Sequence, residues 1–441
     1  MRRLGPPALA VAVLSALVLA TSGLAAAPAF AQGARTERFD NGFTVIVREN
    51  PLAPVVALSL FVKVGTRWEQ PASAGISNFL HALMVKGTTK RSGSQLAEEI
   101  AAMGGKISAA GDIDYSEIKC SALARFWRPL LGLTAELALE PAMSAGEVDG
   151  ERDWLLSRVQ RRRDNAPSRA FDELYAALYG PHPYAIVSLG TPASLPRIDH
   201  AALVAHYRAY YRPGRMVLTV SGQVAADEVV AEARRLFGGM PAGAGAQDPV
   251  LPAPAPAGRR IVIQQPAQQT QILVGALAPS LDHADHGAVK VLSTVLGGGM
   301  AGRLFAELRD KKGLAYTATS FYEPVREPGA LVLYLGTAPE NAAKAEEALR
   351  QEIDRIRREA VGAEELRRAK NYLLGRYEMD RRTNDRQAWY LGFYTVEGVS
   401  PDYAARYRRA VEAVTAADVL RVAQTYLASL TSVVLEPPPA R

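Results

Sequence analysis

Arg309 and Tyr316 stand seven residues apart in the run LGGGMAGRLFAELRDKKGLAYTATSF, residues 296–321. A guanidinium and a phenol are both hydrogen-bond donors, and donors converging on a carbonyl oxygen stabilise the negative charge that develops there in acyl transfer. The pattern predicts a helix with Leu304, Phe305 and Leu308 on its core side, ended by Gly313, then a strand over Leu314 to Ser320. Arg309 then falls in the last helical turn and Tyr316 early in the strand, so the two side chains converge across the turn. The same residues also fit a plainer role, in which Arg309 caps the helix C-terminus and Tyr316 packs half-buried.

Metal-binding chemistry is harder to assemble from this chain. It has six histidines and one cysteine, Cys120, so neither an internal disulfide nor a cysteine metal cluster is available. Zinc needs three or four converging donors. His182 sits in a His-Pro-Tyr turn, and His283 and His286 lie three apart near a helix start with no third partner in the pattern. His81 lies in the stretch Gly75 to Thr88, GISNFLHALMVKGT, which reads as a helix.

That stretch has the frame of an H-x-x-E-H helix, in which two histidines on one face hold zinc and the glutamate activates a water. It resembles the motif helix of the insulinase/pitrilysin-type zinc peptidases, which runs from a glycine into a Lys-Gly-Thr turn. Set in that frame, the first histidine falls on Asn78, the glutamate on His81 and the second histidine on Ala82. The family's third ligand is a glutamate seven residues after the first residue of a Glu-Arg-Asp/Asn run. Here the run is Glu151-Arg152-Asp153, and the seventh position is Arg158, whose guanidinium repels a cation. The resemblance therefore implies a degenerate metal site and no zinc bound by this chain.

The chain begins Met1-Arg2-Arg3, runs apolar from about Ala8 to Ala27 and reaches Ala29-Phe30-Ala31. This predicts a secretory signal peptide over residues 1–31, and a periplasmic or exported protein. Cleavage after Ala31 leaves 410 of the 441 residues. Of 51 Lys and Arg, Arg2 and Arg3 lie in that leader, so 49 remain against 45 Asp and Glu. Both signs are mixed along the chain, with no nucleic-acid module or sustained basic stripe. No later stretch approaches the twenty or so apolar residues that span a bilayer.

Residues 241–258 are rich in Pro, Ala and Gly and carry one charge, Asp248. They read as a linker between an N-terminal domain, 32–240, and a C-terminal domain, 259–441. Both halves repeat one plan. Each opens with strand, loop and helix and has a helix feeding a strand near its close: Ala201 to Tyr211 precedes the strand Met216 to Gly222, and Ala416 to Leu427 precedes Thr431 to Leu435. The expected fold is α+β: two homologous halves, each a mostly antiparallel sheet with helices packed on one face.

The resemblance extends over nearly the whole mature chain. Gly65-Thr66-Arg67-x-Glu69, His182-Pro183-Tyr184 and Tyr210-Tyr211-Arg212-Pro213 match the family. Gly104 to Ala109 is similar to its edge strand, to which substrate adds as an extra strand, with Ser108 where the family usually has Asn. Gly297-Gly298-Gly299 is similar to the glycine-rich loop of the non-catalytic mitochondrial processing subunit. Arg309 and Tyr316 match the family's Arg/Tyr pair, which binds substrate near the scissile bond. Some members are heterodimers in which one subunit carries H-x-x-E-H and the other keeps only that pair. The resemblance thus implies a non-catalytic subunit that closes a chamber over a homologous zinc-bearing partner and contacts an extended peptide. A stand-alone peptide-binding or scaffold protein fits the same residues if the pair is dispensable.

Overall fold

Runs of β-branched and aliphatic residues set the framework, because such side chains favour a pleated, half-buried surface. The computed structural model of the chain describes residues 33–243, 245–399 and 403–438. The predicted leader, 1–31, lies outside the described residues. In the first half the strands are β1 (Ala34–Arg38), β2 (Thr44–Glu49), β3 (Val55–Val62), β4 (Lys106–Gly111), β5 (Ser116–Leu123) and β6 (Met216–Gly222). They form one sheet in the order β1-β2-β6-β3-β5-β4. In the second half β7 (Arg260–Gln264), β8 (Thr270–Ala278), β9 (Thr317–Glu323), β10 (Gly329–Thr337) and β11 (Thr431–Glu436) form a sheet in the order β7-β11-β8-β10-β9.

The two orders superpose once β1 is set aside. Each sheet has a single parallel pair, β2 with β6 and β7 with β11, and its other neighbours are antiparallel. In both, the strand that closes the half slots between the first and second strands of the shared plan, which explains why the helix-then-strand ending repeats. The sheets end in equivalent edge strands, β4 and β9.

The helices also match. The first half has α1 (Ile76–Met84), α2 (Gly93–Ala102), α3 (Trp127–Leu139), α4 (Ala145–Asp164), α5 (Ala166–Tyr179), α6 (His200–Tyr210) and α7 (Ala226–Phe237). The second has α8 (His286–Gly297), a π-helical segment Leu304–Lys311, α9 (Ala342–Arg358), α10 (Ala363–Asp380), α11 (Asn384–Val396), α12 (Tyr403–Ala413) and α13 (Ala416–Tyr426). Most pack on one face of their own sheet around a core of its inward strand residues, such as Leu58, Leu60 and Leu218 in the first half and Ile272, Leu333 and Val434 in the second.

One helix of each half crosses over. α5 lies on β8 and β11 of the second sheet, where Ala170, Leu174 and Leu178 share a core with Leu273, Val332 and Val433. Those three residues are spaced i, i+4, i+8, one stripe of a helix. α11 in turn lies on β3 and β6 of the first sheet, with Thr219 Oγ1 donating to the Ala388 carbonyl at 2.8 Å. A side chain at Gly392 of α11 would run into the ring of Phe61 of β3, 2.1 Å from a built Cβ. Only glycine lets that helix approach so closely. The second face of each sheet is therefore covered by the other half.

Conserving this arrangement is a buried polar seam. Arg67 Nη1 lies 2.6 Å from Glu327 Oε1 and 3.7 Å from Asp114 Oδ1. Tyr184 Oη donates to the Asp114 carboxylate at 2.6–2.7 Å, and the Arg326 and Glu327 N–H groups donate to Asp114 Oδ2 and Tyr184 Oη at 3.3 Å each. The Gly65-Thr66-Arg67 run and the His-Pro-Tyr turn thus hold the halves together.

Candidate functional site

The helix α1 starts where backbone N–H groups have no partner within the helix. Glu69 fills that need: its carboxylate oxygens accept from Gly75 N at 2.7 Å and Ser77 N at 2.9 Å. A carboxylate at a helix N-terminus is also favoured by the helix dipole. The same helix lies along the edge strand β4 and against α4.

His81 points into the core of the first half and is fully buried, with 0% exposure. Its Nδ1 lies 2.8 Å from the Ser77 carbonyl, and its Nε2 lies 2.5 Å from Tyr211 Oη. A carbonyl only accepts, so these contacts assign the proton to Nδ1 and leave Nε2 to accept from the tyrosine hydroxyl. Burial lowers the imidazole pKa to about 4, so the ring is neutral near pH 7. Next to it His206 Nε2 lies 3.1 Å from Ser77 Oγ, and burial takes its pKa down to about 3. Both rings are fixed as hydrogen-bonding groups of the core.

The other motif positions offer no ligand set. Asn78 is half-buried and its Nδ2 finds no hydrogen-bond acceptor among the described residues. Ala82 has only a methyl group. Arg158 on α4 lays its guanidinium over the Trp154 ring at 4.6 Å. Glu151, the first residue of the Glu-Arg-Asp run, is buried and pairs with Lys86 at 3.4 Å, joining the turn after α1 to α4. An amide, a methyl and a guanidinium, with a lysine close by, do not fit zinc. Among the described residues no three His, Cys, Asp or Glu side chains gather as a metal site.

Arg309 and Tyr316 flank a tight turn in the second half. Gly313 N donates to the Arg309 carbonyl at 3.2 Å, Leu314 N to the Leu308 carbonyl at 2.8 Å, and Tyr316 N to Gly336 O of β10 at 2.8 Å. The backbone is pinned on both sides while the side chains stay outside. Arg309 is exposed with its guanidinium over the Phe305 ring at 4.7 Å, and Tyr316 is 64% exposed, directly before the edge strand β9. Neither side chain makes a hydrogen bond to α1 among the described residues. Tyr316 is thus more exposed than a half-buried packing residue, while Arg309 stands in the last turn of the π-helical segment, where its charge also faces the helix C-terminus. Gly104 to Ala109 runs into β4, which pairs on one side only, with β5.

Sequence reasoning missed what Glu69, Arg67, Tyr184 and Tyr211 do. Their motifs were visible, but a capping carboxylate, an inter-half ion pair and a core hydroxyl all depend on distant partners that no local pattern names.

Two family models match the chain. Residues 44–191 match the insulinase family, peptidase family M16, and residues 197–373 match the peptidase M16 inactive domain. A protein of Rickettsia felis described as an uncharacterized zinc protease is 28% identical over 403 residues, covering 90% of this chain and 95% of that protein. One of Bacillus subtilis with the same description is 26% identical over 335 residues, covering 76% and 81%. Among solved structures, a peptidase M16 inactive domain from Pseudomonas fluorescens superposes with a TM-score of 0.85 at 23% identity, covering 92% of this chain and 99% of that one. A protease from Helicobacter pylori gives 0.83 at 20% identity with the same coverage.

Proposed function

The chain belongs to the insulinase family of peptidases, M16, and we propose that within it this protein is the non-catalytic subunit of a two-chain zinc metallopeptidase. Its partner is a homologous subunit that carries H-x-x-E-H and holds the zinc. This chain closes the chamber and offers Arg309 and Tyr316 to the substrate. One observation carries the reading: Asn78 and Ala82 of the motif helix and Arg158 of α4 make no zinc-ligand set and His81 is buried, while Arg309 and Tyr316 are exposed on a pinned turn. Donors held on fixed backbone, with no side-chain hydrogen bond among the described residues, suit a substrate carbonyl.

The substrate is an extended peptide, and β4 supports this as an unpaired edge to which a strand can add. Residues 1–31 serve as a cleaved leader, so the complex works in the periplasm or outside the cell. No described helix is long and apolar enough to cross a membrane.

The test is cleavage of a fluorogenic peptide library by the mature chain alone and mixed with the H-x-x-E-H companion from the same source. Activity is expected only in the mixture, with zinc found in the companion. Cleavage by this chain alone overturns the proposal. Absence of any gain on mixing assigns the chain to stand-alone peptide binding or scaffolding instead.

A further inference from the structure

A cavity of about 380 Å³ opens between the halves, and no residue of the motif helix or of the Arg309 turn lines it. Its walls come from the β4–β5 turn, the β9–β10 turn, α8 and helices α10 to α12. Aromatic residues dominate them: Tyr115, Tyr377, Trp389, Tyr390, Phe393 and Tyr394 all line it. They are packed on one another, with Trp389 stacked on Phe393 at 4.5 Å and Tyr377 Oη 2.9 Å from Tyr394 Oη. Several already carry a cation: Arg386 lies over Trp389 at 4.3 Å and Arg381 over Tyr377 at 4.8 Å.

The charged groups at the cavity are mostly acidic. Its one ammonium, Lys290, donates to the Tyr322 carbonyl at 2.6 Å, and Glu323 supplies its countercharge. Asp114 is engaged by Tyr184 and Arg67. Arg326 and Arg67, the cations that act on Glu397, are paired with Asp248 at 3.4 Å and Glu327 at 2.6 Å. Two lining groups remain unanswered. Glu397 and Tyr403 are each only 6% exposed, and Glu397 Oε2 and Tyr403 Oη have no hydrogen-bond partner among the described residues. A buried acceptor without a donor is costly. Asp112 adds an exposed carboxylate at the rim.

We propose that this cavity binds a small organic ammonium ion, with the aromatic rings around the cation and Glu397 as its countercharge. Ring faces attract ammonium groups through their quadrupole, and most strongly where water is excluded. Burial, reinforced by Asp114, pushes the Glu397 carboxyl up to about 9, so the acid is neutral until a cation beside it restores the charge. Because the cavity shares no residue with the proposed substrate-contacting pair, this site stands or falls independently of the peptidase reading.

The experiment is isothermal titration of the mature chain with choline and with its neutral isostere 3,3-dimethylbutan-1-ol. Choline is expected to bind at least about tenfold more tightly, since the two differ only in charge at the same shape. Glu397→Gln should weaken choline about tenfold and leave the alcohol unchanged. Equal affinity for the two, or no saturable binding of choline up to about 10 mM, overturns the proposal. So does unchanged choline affinity in a Glu397→Gln chain that unfolds at the parent temperature. The comparison of the two ligands on the parent chain decides the matter if that variant does not fold.

Discussion

The motif helix of the first half and the Arg309 turn of the second treat their polar groups in opposite ways. On α1, His81 is enclosed by Ser77 and Tyr211, and Glu69 closes the helix start. Beside β9, the backbone around Arg309 and Tyr316 is equally well bonded, yet both side chains are left outside. The same economy of backbone support thus serves stability in one half and presentation in the other. On the proposed function, the side chain left in the frame of the metal motif has been absorbed into the core, whereas the pair offered to the substrate has not.

The sharpest way to break this contrast is Arg309→Ala in the two-subunit mixture. We expect kcat/KM to fall about 10²–10³-fold, the usual effect of removing one oxyanion donor, with no change in unfolding temperature of this chain. Arg158→Ala in the same assay should change activity less than about twofold, since its guanidinium rests on Trp154. A loss at Arg158 as large as at Arg309 would erase the distinction between the two regions.

Leu178→Ala addresses the exchanged helices. It should cost about 3 kcal/mol in denaturant unfolding, and hydrogen exchange should show the lost protection in β8 and β11. Protection lost instead in the first sheet would contradict the crossing of α5. Tyr211→Phe removes the hydroxyl that donates to His81 and should cost about 1.5 kcal/mol, leaving a buried ring nitrogen without a partner; an unchanged midpoint would mean that the ring is not held from that side.

The smallest effect is a slope. The unfolded chain takes up a proton at His81 near pH 6.5, which the folded chain refuses until about pH 4. Stability from this group is present above pH 6.5 and is lost as the pH falls towards 4. His81→Gln should therefore flatten the decline between pH 6.5 and 4 by up to about 1.4 kcal/mol per pH unit. Asp114 and Glu397, whose carboxyls are raised to about 6 and about 9, act in the opposite direction in both proteins. Parallel curves would show that His81 is not held neutral.

Much of the framework was legible in the sequence. The β-branched run Val55 to Val64, the strand-like Ser116 to Ala122, the Asp40-Asn41-Gly42 turn and the repeated helix-then-strand pattern correspond to β3, β5, the β1–β2 connection and the strands β6 and β11. The α+β plan with two matching sheets was readable for the same reason: strand patterns are local. The helices that the sequence pattern marks least are α5, α11 and α12. Two of these are the exchanged helices. α11, NDRQAWYLGFYTV, has aromatic and polar residues all round because one side meets a foreign sheet and the other lines the inter-half cavity. No single stripe marks it, and a pattern that looks for one stripe passes over it. Arg309 and Tyr316 could be singled out from residue type and spacing, whereas their exposure depends on Phe305 and the Gly336 carbonyl.

The crossing of α5 and α11 also has a consequence for how the protein is made. The first sheet is complete once Gly222 has been synthesised, but the helix that shields its second face begins 162 residues later, over Asn384–Val396. Until then Phe61, Ile46 and Val217, which end up buried beside Val396, remain open on a nascent chain. A ribosome or a translocation channel releasing the protein in order therefore holds a half-clad intermediate for much of its passage, and the two halves mature together at the end.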